Sequence, residues 1–96
     1  MVAKKSDGEI EKMRGKIDEI DSALLQLIAK RKEVALEIAG LKQKSGVADD
    51  EARLMEVLKN IQAQAKRLGL DEAEIKALWK SLIAYMIREQ MKKYPR

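Results

Sequence analysis

Ile10-Glu11-Lys12-Met13-Arg14-Gly15-Lys16-Ile17-Asp18-Glu19-Ile20-Asp21-Ser22-Ala23-Leu24-Leu25-Gln26-Leu27 is the stretch on which the fold turns. Its apolar residues recur at alternating spacings of three and four, the signature of one helix face. Ile10, Ile17, Leu24 and Ile38 share one heptad position, while Met13, Ile20, Leu27, Val34 and Leu41 share the other. Ser6 and Glu9 stand at capping-box spacing before the stripe, and Ser45-Gly46 follows it where a terminating glycine belongs. The pattern predicts one helix of roughly 35–38 residues, about 55 Å long. Gly15 and Gly40 interrupt it at about 1 kcal/mol each relative to alanine.

Downstream the punctuation repeats. Asp49 and Asp50 offer an N-cap for a second helix with stripe Leu54, Val57, Leu58, Ile61, Ala65 and Leu68, ended by Gly69. Asp71 and Glu74 open a third, with stripe Ile75, Leu78, Trp79, Leu82, Ile83, Met86, Ile87 and Met91, before Pro95 stops it. Nothing alternates with period two. The predicted fold is all-α, one long helix and two shorter ones, with residues 1–8 as a tail and 9–94 as the domain. The first helix is about twice the length of the second, so one chain cannot cover its whole stripe. A second copy is the simplest cover, which predicts an intertwined homodimer. A monomer kinked at Gly15 or Gly40 is the alternative.

Composition narrows the chemistry. The chain has 96 residues with net charge +4, and neither histidine nor cysteine. It therefore lacks the side chain that usually handles protons near neutrality, a thiol nucleophile, and both soft metal ligands. No metal or cofactor is expected. No apolar run approaches the ~18–20 residues of a membrane span, and the first residues carry no signal-peptide core. A cytoplasmic protein without membrane contact fits these features. Trp79, Tyr85 and Tyr94 are the only aromatics, and none is interleaved with a basic run, so nucleic acid is not an expected partner.

Four polar residues interrupt the apolar faces. Arg31 occupies the heptad position that follows Leu24, and Lys42 lies eleven residues further, about three turns on and pointing the same way. Gln90 falls where the third stripe calls for an apolar residue, and Arg53 edges the second. Taken singly, each has an ordinary structural explanation. Arg31 could snorkel or pair with Glu51, Lys42 could be a solvated helix-end charge, Gln90 could set register, and Arg53 could be a surface charge. Together they suit an anion with several carboxylates and an ether or carbonyl oxygen. Such a site can act by positioning and preorganised charge, without a base or nucleophile.

The segment from Arg14 through Ile17-Asp18-Glu19-Ile20-Asp21 to Arg31, with Lys42 eleven residues later, closely resembles the first helix of the all-α chorismate mutase family. Asp50-Glu51-Ala52-Arg53 is similar to the Asp-x-x-Arg that opens that family's second helix. Gln90, in Met86-Ile87-Arg88-Glu89-Gln90, matches its late glutamine. The resemblance covers roughly residues 10 to 94. It implies an intertwined homodimer with two equivalent sites, each rearranging the small dicarboxylate chorismate to prephenate for aromatic amino-acid biosynthesis. By the same resemblance Arg31, Lys42 and Gln90 are the catalytic residues. Arg31 and Lys42 would hold the enolpyruvyl side, and Lys42 with Gln90 the ether oxygen. Arg14, Asp50, Arg53, Leu54 and Met86 fall at substrate-binding positions, with Arg14 supplied by the other protomer. Helix geometry agrees on Arg14. It precedes Arg31 by seventeen residues, about 25 Å, and lies on a different face, so the two cannot share a site within one chain.

Two positions depart from the family pattern. Leu54 stands where most such mutases carry a glutamate for the substrate hydroxyl, and Met86 where a small polar residue is frequent. Loss of that hydroxyl's partner weakens recognition by about 1–3 kcal/mol. Both changes bring the chain closer to isochorismate pyruvate-lyases, which form salicylate on the same fold. Mutase is the expected activity and lyase the alternative. A non-catalytic helical interaction module would explain the stripes, but not Arg31, Lys42 and Gln90 together.

Overall fold

The computed structural model describes residues 5–46 and 51–95. Three helices follow in order, α1 (Lys5–Ser45), α2 (Glu51–Arg67) and α3 (Glu72–Lys93), with no strand among the described residues. The all-α expectation of one long and two shorter helices holds. At 41 residues, α1 is longer than expected. Lys5 is its first described residue, so Ser6 and Glu9 sit inside the helix and the capping box at Ser6 does not form. A box pattern is local and cannot say whether the residues before it continue the helix.

The other boundaries follow the punctuation. Gly46 and Gly69 have φ of 71° and 73°, the left-handed conformation that glycine adopts without a Cβ clash. At the end of α2 the Leu70 N–H donates to the Ala65 carbonyl at 2.8 Å and the Gly69 N–H to the Lys66 carbonyl at 3.2 Å. That pair of bonds is a Schellman motif, and it satisfies carbonyls the helix leaves open. Asp71 caps α3, its carboxylate accepting from the Glu74 N–H at 2.9 Å. The expected N-cap at Asp49 and Asp50 lies outside the described residues.

The chain divides into two compact units, Met1–Glu33 and Val34–Arg96. In the first, α1 stands with its apolar stripe in solvent. Every described side chain from Ser6 to Leu27 is exposed, with Ile17 at 57% and Ile20 at 59%. The second holds the end of α1 with α2 and α3, and of these α2 and α3 pack against each other. The buried core is small: Leu58 and Ala65 from α2 and Met86 from α3. The outer members of the predicted stripes, Leu68, Leu78, Ile87 and Met91, remain exposed. Among the described residues, no helix is long and apolar enough to cross a membrane.

Candidate active site

Arg31 lies in the first unit, on the last turn of α1 there, and is half-buried. Its guanidinium makes no hydrogen bond or ion pair among the described residues. Arg14 belongs to the same unit and is exposed, paired with Glu11 three residues before it at 2.6 Å. A pair in which both partners are about two-thirds exposed stabilises by under about 1 kcal/mol, so a ligand carboxylate could readily displace Glu11. Seventeen residues of unbroken helix separate Arg14 from Arg31, so this chain does not bring the two together.

In the second unit Lys42 and Gln90 are both half-buried. Met86 and Gln90 form a row along α3 at four-residue spacing, and Tyr94, four further on, is the helix's C-cap. Burial falls along that row, from Met86 at 2% to Gln90 and Tyr94 at the helix end. The Gln90 side-chain amide makes no hydrogen bond among the described residues. The interhelical bond that might have explained it as a register device is therefore not seen. Its backbone carbonyl accepts from the Tyr94 N–H at 2.7 Å and closes α3.

The remaining expected positions are less uniform. Arg53 is exposed and pairs with Glu56, one turn along its own helix. Leu54 is 39% exposed, at the rim of the α2 stripe. Met86, expected to face a ligand, is instead among the most buried side chains of the molecule. Its place on the apolar stripe of α3 prevailed, and its thioether packs in the core. Asp50 lies outside the described residues. Sequence reasoning missed two contacts, the Arg53–Glu56 pair and the approach of Tyr94 to Gly40. The first was open to reading from its three-residue spacing. The second joins distant parts of the chain and leaves no periodic trace.

The sequence profile of the family described as chorismate mutase type II matches residues 13–91. The chain belongs to that family. No curated protein and no solved structure matches it. As a type II chorismate mutase domain it is a member of an isomerase family. The matched region takes in Arg14, Arg31, Lys42, Arg53 and Gln90, while Tyr94 falls just beyond it.

Proposed function

We propose that the protein is a homodimeric chorismate mutase, converting chorismate to prephenate at two sites that each draw residues from both chains. The observation that carries this reading is the family match, which spans every basic residue and the glutamine singled out above. Two features of the molecule support it. The half-buried Arg31 guanidinium and Gln90 amide have no protein partner among the described residues, as groups meant for a ligand would. The exposed stripe of α1 offers a second copy the apolar surface that a shared site requires.

In this mechanism the protein forms no covalent bond to substrate. Arg31 and Arg14 hold carboxylates and select the folded conformer in which the two reacting carbons meet. As the ether C–O bond breaks, negative charge grows on its oxygen. Lys42 and the Gln90 amide donate to that oxygen, and their bonds strengthen in the transition state. The electrons move within one molecule, so no proton needs to be shuttled.

The deciding experiment is proton NMR of the products from chorismate and isochorismate, offered separately. Prephenate from chorismate is expected. Salicylate and pyruvate from isochorismate, with chorismate turned over no faster, would establish the lyase that Leu54 brings to mind. A pH series gives an independent check. No histidine is present, so no residue type in the proposed site ordinarily titrates between about pH 6 and 8. kcat/KM should be flat across that interval. A bell centred near neutrality would reveal an acid or base that the mechanism lacks.

A further inference from the structure

We infer that Tyr94 and Gly40 form a clasp that positions Gln90 for the rearrangement, an inference that rests on the mutase reading. A Cβ added at Gly40 would stand 2.7 Å from the Tyr94 hydroxyl oxygen and 3.2 Å from the ring carbon bearing it. The Tyr94 side chain therefore lies directly over the backbone of α1, in space that any larger residue at 40 would fill. Glycine in a helix interior is a poor choice for the helix itself, and here a close approach accounts for it.

The clasp matters because of what lies one turn away. Gln90 precedes Tyr94, the C-cap of α3, by four residues, and the Tyr94 N–H bonds to the Gln90 carbonyl. No side chain among the described residues holds the Gln90 amide, so its place is set only by the last turn of α3. Last turns fray unless something ties them down. Tyr94 ties this one to α1 at Gly40. Lys42, two residues further along α1, lies at the other edge of the half-buried face formed by Ala35, Leu36, Ala39 and Gly40. Through Tyr94 the contact ties the turn bearing Gln90 to the helix that carries Lys42, the two donors proposed for the ether oxygen.

Tyr94 and Gly40 are positioning residues, and the test separates that role from a structural one. Gly40→Ala should lower kcat on the order of tenfold with KM changed by less than about twofold, because a small misplacement acts on the transition state. Its thermal midpoint should stay level or rise, since alanine is the better helix former. Tyr94→Ala should lower kcat similarly, Tyr94→Phe by less. The Gly40→Ala/Tyr94→Ala double variant should be no slower than the worse single, because both remove one contact. An active wild type whose kcat is unmoved by Gly40→Ala, or whose double variant loses the product of the single effects, overturns the clasp alone. A wild type that turns over no chorismate overturns the mutase reading and the clasp with it.

Discussion

Arg14→Ala and Arg31→Ala are each expected to be nearly inactive, and an equal mixture refolded together is expected to regain about a quarter of wild-type activity. Each guanidinium is assigned a carboxylate of the substrate. Truncating one partner of a desolvated charge pair costs ~2–5 kcal/mol, which corresponds to a loss of roughly 30-fold to several thousand-fold in kcat/KM. The recovery follows from the length of α1. Arg14 and Arg31 are seventeen residues apart on one unbroken helix and on different faces, so a site holding both must take them from different chains. Random exchange makes about half the dimers mixed, and each mixed dimer has one site with both arginines and one with neither. Steady-state assays before and after verified subunit exchange make the measurement. No recovery would show that each chain builds its site alone.

Gln90→Ala is expected to lower kcat by on the order of 10²–10³ while KM moves only a few-fold. In the proposed mechanism the amide donates to an oxygen that is an ether in the ground state and gains negative charge only as the bond breaks. Its contribution is concentrated in the transition state, as for an oxyanion-hole donor. The side chain is half-buried rather than in the core, so its truncation leaves the Leu58, Ala65 and Met86 core intact. A far-ultraviolet melt close to wild type should accompany the lost rate. If instead KM rises in proportion and kcat holds, Gln90 binds substrate and transition state equally and is not the group that answers the developing charge.

What could be read from the residues depended on whether the signal was local. Gly46, Gly69 and Asp71 announce helix ends through backbone chemistry that operates over four or five residues, and each ends or opens a helix where expected. Ser6 carries the same local pattern and fails, because Lys5 is also helical. The three- and four-residue periods of α2 and α3 named Leu58, Ala65 and Met86 among their inner residues, and these are the core. The same periods could not say how far the neighbouring helix reaches, so Leu68 and Leu78 were included and are exposed.

The candidate site was drawn from places where a polar residue breaks an apolar rhythm. Arg31 and Gln90 interrupt stripes, and both are half-buried without a protein partner among the described residues. Met86 gave no such break, and its place in the expected ligand set rests on the family resemblance alone. It continues the apolar stripe of α3, and it is buried at 2% exposure. Tyr94 could not have been found this way. Its significance depends on the missing Cβ of a residue fifty-four positions earlier, and no helical period connects the two.

The bare stripe of α1 bears on what the word stability can mean for this molecule. One chain encloses few apolar side chains, and the largest continuous run of them, from Ile10 to Leu27, faces water. If a second copy covers that run, most of the driving force for folding arises in a bimolecular step. The folded fraction then obeys mass action, and dilution acts as a denaturant. A melting temperature for this protein would be incomplete without the concentration at which it was recorded.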